Sequence, residues 1–185
     1  MTDFMVDIET ISTKPNAAIV AIGACEFDME TGETGREFYT NIKWDSNLNY
    51  NRDVDLNTIQ WWMKQSDGAR RALFDEPQES LPTAMMKFAL FYDGCGNLPI
   101  WSHASFDEQI LRNAFEVLRI TCPWHHRDVR DIRTLIGMLP KSVLDGIRSE
   151  TLRLGDHHNA LHDALYQCGY VSKGVHWQRY LNGSV

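Results

Sequence analysis

Hydrophobic and polar residues follow two different patterns along the chain, one over the first 42 residues and another beyond them. Residues 4–9 form a short apolar and acidic segment, and residues 17–27 (AAIVAIGACEF) are β-branched and almost continuously apolar, which is typical of a buried strand. The turn-forming sequence METGETG follows at residues 29–35, and residues 37–42 form a third strand-like segment. Because strands joined by so short a turn run antiparallel, this region predicts an antiparallel meander.

Helical periodicity dominates the rest of the chain, and capping residues indicate where the helices begin. We predict helices that start at Asp55, Asp67, Ser80, Ser105 and Asp131, and a last one over residues 159–180. The helix from Asp67 is predicted to end at Phe74, and Ser105 and Glu108 have the spacing of a capping box. Residues 98–102 (LPIWS) predict a further strand. A meander followed by strand–helix alternation is typical of an α/β fold with a mixed sheet.

Length and composition narrow the class of protein. A chain of 185 residues suits a single domain over 1–185, and 43% hydrophobic with 23% charged residues is ordinary for a soluble globular protein. No apolar run approaches the ~20 residues that span a bilayer, so we expect no membrane partner. The first ten residues, MTDFMVDIET, carry acids where a signal peptide needs basic residues and an apolar stretch. We therefore expect a cytoplasmic protein.

Charge and cysteine spacing argue against three further interpretations. The formal net charge of −7 argues against a protein that binds nucleic acid by bulk positive charge. It is compatible with an enzyme whose metal ions supply positive charge locally. The four cysteines contain no CxxC pair, so neither a zinc ribbon nor a dithiol redox site is indicated.

Asp7 and Glu9 are the first candidate functional residues. Residues two apart on a strand project from the same face, so both carboxylates point to one place. Two like charges among apolar neighbours are unfavourable unless a cation lies between them, and Mg²⁺ or Mn²⁺ suits oxygen ligands. The alternative from spacing alone is an edge strand with one solvated face.

Two later segments carry further candidates. Asp107 lies in the first turn of a predicted helix just after a buried strand, where ligands collect in α/β sheets, although an acid there also complements the helix dipole. In DHHNALHDAL (156–165), Asp163 falls in the first helical turn and His158 in the loop before it. An imidazole with a pKa near ~6.5 is suited to proton transfer, and a solvated helix start is the alternative.

Trp61 and Trp62 are candidates for stacking on nucleic-acid bases. Adjacent helix positions point about 100° apart, so at least one of the two indoles is expected in the core.

Taken together, DIET at 7–10, SFD at 105–107 and H-x4-D at 158–163 resemble the three motifs of the DEDDh branch of the DnaQ-like 3′–5′ exonucleases. The sequences PNAAIVAIGACEFD, TIQWWMKQS and RDIRTL extend the resemblance over most of the chain, toward the exodeoxyribonuclease VIII-like group, some of whose relatives act on RNA. The resemblance implies a ribonuclease H-like α/β fold with a five-stranded mixed sheet, three antiparallel strands then two parallel, flanked by helices.

The resemblance also implies a chemistry and its residues. It implies two Mg²⁺ or Mn²⁺ ions bound by Asp7, Glu9, Asp107 and Asp163, a general base at His158, and substrate contacts at Thr10 and Phe106. The implied reaction is metal-dependent hydrolysis from the 3′ end of DNA or RNA, releasing nucleoside 5′-monophosphates. Single strands and the 3′ ends of duplexes are the implied partners, and a homodimer is left open. The segment WSHAS (101–105) departs from the Asn- and Gly-containing segment of the family.

Two other classes of protein were weighed against this interpretation. Adjacent His162 and Asp163 are compatible with an HD-type metal phosphohydrolase, but that all-helical fold leaves the N-terminal strands, Asp7 and Glu9 unexplained. A non-catalytic nucleic-acid-binding protein on the same fold usually lacks an acid or the histidine, and none is missing here. The sequence therefore predicts a 3′–5′ exonuclease whose choice between DNA and RNA stays open.

Overall fold

The computed structural model describes residues 1–73, 78–181 and 183, which form a mixed sheet with helices on both faces. Its strands are β1 (Asp3–Thr10), β2 (Ile19–Phe27), β3 (Thr34–Ile42), β4 (Gln78–Glu79), β5 (Ile100–Ser102) and β6 (Val129–Asp131). The α-helices of the described residues are α1 (Trp44–Leu48), α2 (Leu56–Trp62), α3 (Asp67–Ala72), α4 (Leu81–Gly94), α5 (Asp107–Leu118), α6 (Ile132–Gly137), α7 (Lys141–Glu150) and α8 (Ala160–Leu181). None of these helices is long and apolar enough to cross a membrane.

The sheet has the order β4-β3-β2-β1-β5-β6, so the described part of the chain has six strands where five were predicted. The antiparallel meander β1–β3 and the parallel strands β5 and β6 are confirmed. The additional strand is β4, whose two residues pair parallel with Asn41 and Ile42 of β3 at the edge of the sheet. A strand of two residues is too short to show periodicity, which is why the sequence did not indicate it.

Three predicted helix starts are confirmed by their capping hydrogen bonds. The side chains of Asp55, Ser80 and Asp131 accept backbone N–H groups at the starts of α2, α4 and α6. The helix predicted from Asp67 is capped by Ser66, and its predicted end at Phe74 lies outside the described residues. Helices α1 and α7 were not predicted from the sequence pattern.

The predicted capping box at Ser105 and Glu108 is wrong. Helix α5 begins at Asp107, and its N-cap residue Phe106 makes no side-chain capping hydrogen bond. Ser105 instead accepts a hydrogen bond from Arg133, 3.2 Å, and Glu108 accepts one from the indole N–H of Trp124, 2.9 Å. Core packing of Glu108 therefore replaces the local cap, and Asp107 begins the helix.

Strand β1 lies inside the sheet and is buried on both faces. Phe4, Val6 and Ile8 pack into the cluster that contains the apolar residues of α4 and α5. Met5 packs into the other cluster, with the apolar residues of α8. Because side chains alternate along a strand, Asp7 and Glu9 lie on the α8 face, at the carboxyl end of β1.

Candidate active site

Four carboxylates from three parts of the chain meet beyond the carboxyl ends of β1 and β5. Asp7 and Glu9 lie in the last four residues of β1, Asp107 begins α5 just after β5, and Asp163 lies in the first turn of α8. All four line one cleft of about 570 Å³, and His158 lines it as well. The structure thus brings together the five residues that the sequence singled out, although their roles stay predictions.

The ligand atoms in this cleft form two neighbouring groups. Asp7, His103 and Asp107 each place one such atom within 4.8 Å of the others, and Glu9, His158 and Asp163 do the same. Carboxylate oxygens are the ligands that Mg²⁺ prefers, and two adjacent sites are what two-metal phosphodiester chemistry requires. The donor set therefore fits a pair of divalent cations.

The electrostatics of the two β1 acids support the same fit. Loss of solvation is the largest cause that raises the pKa of Asp7 well above its ordinary value, followed by the charges of Asp107, Glu9 and Asp163. A hydrogen bond of 2.7 Å from the Gln167 amide to Asp7 Oδ1 lowers it again in part. Burial, then Asp163 and Asp107, raise the pKa of Glu9 well above normal. A bound cation would remove this unfavourable concentration of negative charge.

His103 is the site residue that sequence reasoning missed. It follows β5 directly, its backbone N–H donates to Asp107 Oδ2 at 2.8 Å, and its Nδ1 lies 3.4 Å from the same oxygen. The available signal was its position four residues before Asp107, just after a predicted strand. In the sequence, the segment that contains His103 stands out only by its departure from the family pattern.

His158 lies in the loop before α8, as predicted, and its backbone has a φ of 63°. Its N–H donates to Asp163 Oδ2 at 2.9 Å, and its ring packs edge to face against Trp61 with centroids 4.8 Å apart. Burial lowers the pKa of His158, while the charge of Asp163 opposes this effect. The ring is thereby biased toward its neutral form, in which one nitrogen can accept a proton.

The neighbouring His162 points away from the acids. Its Nδ1 accepts the backbone N–H of Asp156 at 3.2 Å, and its ring lies against Gly155. Of the histidines in segment 156–165, His157 and His158 line the cleft and His162 does not.

Three arginines line the same cleft as the acids, namely Arg133, Arg148 and Arg153. The Arg153 guanidinium pairs with Asp163 Oδ1 and lies 4.0 Å from the centre of the Tyr166 ring. Arg148 lies 5.5 Å from the Tyr170 ring in the same way. Acids and arginines in one cleft suit a polyanion that binds through both cations and guanidinium groups.

Comparison with known proteins identifies the family. The family model of the 3′–5′ exoribonuclease Rv2179c-like domain matches residues 2–175. The chain belongs to this family of 3′–5′ exonucleases. It is also 27% identical over 201 residues to an exodeoxyribonuclease of Enterobacteria phage T4, covering 88% of this chain and 84% of the relative.

Solved structures show the same fold. The nuclease domain of 3′hExo, a DEDDh family member bound to rAMP, has a TM-score of 0.64 at 14% identity, over 95% of this chain and 92% of that one. E. coli exonuclease I, in complex with a 5cy-dT13 oligonucleotide, has a TM-score of 0.58 at 14% identity over 98% of this chain. The exonuclease described here spans 42% of that longer chain. The predicted DEDDh-type fold and 3′–5′ exonuclease class are confirmed, and the all-helical HD-type alternative is wrong.

A second cleft of the exonuclease, of about 510 Å³, contains the two residues predicted to contact substrate. Thr10 lines it together with Thr13, Asn57 and Trp61, and Phe106 lines both clefts. The Thr10 carbonyl accepts the indole N–H of Trp62 at 2.9 Å, which fixes α2 beside the end of β1. Trp62 is buried and Trp61 is 44% exposed, so the expectation that at least one of the two indoles is in the core is confirmed.

Proposed function

We propose that the protein is a 3′–5′ exoribonuclease that shortens single-stranded RNA, or the single-stranded 3′ ends of duplexes, and releases nucleoside 5′-monophosphates. The observation that carries this proposal is the convergence of two ligand groups, Asp7–His103–Asp107 and Glu9–His158–Asp163, in one cleft. Family membership over residues 2–175 supports an RNA substrate.

The cofactor in this proposal is a pair of Mg²⁺ or Mn²⁺ ions. Asp7 and Asp107 would hold one, with Glu9 and Asp163 holding the other. When bound, the two ions supply charge neutralisation at the scissile phosphate and help the 3′-oxygen to depart. Four carboxylates with two divalent ions sum to zero charge, which explains how a chain of net charge −7 holds a polyanion at this place.

In this proposal, residues of the chain accept the proton and position the substrate. The neutral His158 imidazole accepts the proton of the attacking water at a ring nitrogen, and the hydrogen bond to Asp163 fixes its loop. Phe106 borders both clefts, so it is placed to separate the reacting phosphate from the nucleoside in the second cleft. Exposed Trp61 and buried Thr10 border that second cleft, where a terminal base and sugar would lie.

All of the proposed residues come from one copy of the chain. We propose that residues 1–185 act as one exonuclease domain in the cytoplasm, and the homodimer that the resemblance left open stays open.

DNA is the second candidate substrate, because the T4 relative is an exodeoxyribonuclease and exonuclease I was solved with an oligo-dT strand. The 3′hExo structure holds rAMP, which favours RNA. Proteins distinguish the two by what meets the sugar 2′-hydroxyl, so the substrate has to be measured.

The test is degradation of matched RNA and DNA strands of one sequence, each as a single strand, as a duplex with a 3′ overhang and as a blunt duplex. We expect RNA to be degraded faster than DNA and overhangs faster than blunt ends. Asp107→Asn keeps a side chain that can accept the His103 N–H and removes the charge, so it should abolish hydrolysis without unfolding the protein. Equal or faster degradation of DNA would replace the RNA assignment with the DNA one.

A further inference from the structure

Both carboxylate oxygens of Asp163 already have partners within the protein. Its Oδ1 pairs with the Arg153 guanidinium, and its Oδ2 accepts the His158 N–H at 2.9 Å. Both side chains are largely enclosed, with Arg153 22% and Asp163 16% exposed. Water and salt screen such an enclosed ion pair only weakly. The energy of Asp163 therefore depends strongly on which cation pairs with it.

This ion pair conflicts with the cation site proposed above. Asp163 shares its ligand group with Glu9 and His158, within 4.8 Å. A guanidinium on the same carboxylate would stand beside a divalent cation, and the two positive charges repel strongly in a partly buried cleft. Arg153 and a cation therefore compete for Asp163.

An aromatic ring as well as Asp163 holds Arg153 in the cleft. Its guanidinium lies 4.0 Å from the centre of the Tyr166 ring while it pairs with Asp163, and Arg148 lies against Tyr170 in the same cleft. A guanidinium donates two parallel hydrogen bonds to a phosphate, and stacking on an aromatic ring leaves those donors free at its edge. A phosphate in the cleft would be within the region that these two side chains line.

We propose that Arg153 exchanges partners: it neutralises Asp163 in the metal-free protein, and it contacts a phosphate of the bound strand when a divalent cation takes Asp163. This inference rests on the proposed function of the cleft. Its consequence is that cation and nucleotide binding support each other, because the cation releases the side chain that the phosphate needs. Such coupling is reciprocal.

Two arginine variants separate this exchange from a general effect of charge. Mn²⁺ alone is titrated calorimetrically into metal-free wild type, Arg153→Met and Arg148→Met, and AMP is then titrated into each Mn²⁺-loaded protein. Arg148 contacts Tyr170 and forms no ion pair with the cleft acids among the described residues, so it is the matched control. Arg153→Met should bind Mn²⁺ about tenfold more tightly, whereas Arg148→Met should match wild type. AMP should bind more weakly to Arg153→Met.

Arg153→Lys keeps the positive charge, so it should return Mn²⁺ affinity close to the wild-type value. If the Met variant fails to fold, Arg153→Gln, which also removes the positive charge, replaces it in both titrations. Mn²⁺ binding to Arg153→Met that is unchanged or weaker would make Arg153 a static support of Asp163 and overturn the proposal. Unchanged AMP affinity would overturn the phosphate contact. Asp7→Ala with wild-type Mn²⁺ affinity would instead count against the proposed cation site itself.

Discussion

Asp7 and Glu9 are residues whose charges destabilise the metal-free fold. Burial and neighbouring carboxylates raise the pKa of both acids, so the folded protein binds protons at pH values where the unfolded chain has already released them. The free energy of unfolding therefore falls as the pH rises from the ordinary carboxyl pKa toward the raised one. Below the ordinary value both states are protonated and the difference disappears.

The substitution Asp7→Asn tests this electrostatic account. Asparagine keeps the acceptor for Gln167 and removes one buried charge from a cluster of carboxylates. In EDTA at neutral pH we therefore expect the variant to have a higher free energy of unfolding than wild type. Denaturant unfolding across pH 5–8 measures it, and the advantage should shrink toward the acid end. An Asp7→Asn variant that is less stable than wild type at every pH would show that the Asp7 charge does not destabilise the metal-free fold.

A matched pair of variants distinguishes the role of His158 from that of the neighbouring His162. Its φ of 63° is tolerated well by asparagine, so His158→Asn removes the imidazole without straining the loop. We expect turnover to fall by roughly 10²–10⁴, the usual share of general base catalysis, with Mn²⁺ binding retained. His162→Asn, next to Asp163 but turned toward Asp156, should keep near wild-type turnover. If both variants lose turnover equally while folded, His158 is not the base.

Among individual residues, the sequence predicted those that belong to short motifs. Asp7, Glu9, Asp107, Asp163 and His158 each lie at a fixed spacing within a short motif. Arg153 belongs to no such motif, and its contact with Asp163 depends on how the loop before α8 folds back. His103 likewise becomes a candidate ligand only because the fold brings it close to Asp7, which is distant in sequence.

Among the elements, the contact between α8 and β2 decides where Asp163 and His158 stand. A Cβ on Gly23 of β2 would lie 2.1 Å from the backbone nitrogen of Leu161 and 2.2 Å from the carbonyl carbon of Ala160. The first turn of α8 can approach the sheet this closely only because residue 23 has no side chain. The glycine therefore sets the depth of the helix start that carries Asp163.

Gly23→Ala should disturb both the fold and the site. Overpacking against backbone atoms costs about 1–3 kcal/mol, and relief requires α8 to move away from Asp7 and Glu9. We expect a lower melting temperature and weaker Mn²⁺ binding. Gly146→Ala in α7 is the control, because nothing lies within 4 Å of its Cβ position and alanine favours a helix by about 1 kcal/mol. Unchanged Mn²⁺ affinity in a folded Gly23→Ala variant would contradict this role.

Elements with strong periodicity or a side-chain cap were predicted from the sequence, and weaker ones were not. The meander and the starts of α2, α4 and α6 carry clear local signals. The two residues of β4 pair only because β3 offers a free edge, and α1 ends after five residues. At Ser105 the local capping signal was overridden, because Glu108 pairs with Trp124 in the core.

At the scale of the whole molecule, two clefts share Ile8, Glu9 and Phe106. In the proposed function, the cleft with the acids and arginines would bind the phosphate, and the cleft with the exposed indole would bind a terminal nucleoside. The order of motifs predicted the fold and the acidic cleft, because motifs at strand ends converge in an α/β sheet. The second cleft depends on α2, whose position comes from the hydrogen bond between Trp62 and Thr10.

The most direct test of the central claim uses single-stranded RNA labelled at its 5′ end, beside a closed circle of the same sequence. With Mg²⁺ or Mn²⁺ we predict a ladder that shortens from the 3′ end, release of nucleoside 5′-monophosphates, an intact circle, and complete arrest by EDTA. Early release of the labelled 5′ nucleotide, cutting of the circle, or hydrolysis that persists in EDTA would contradict the account.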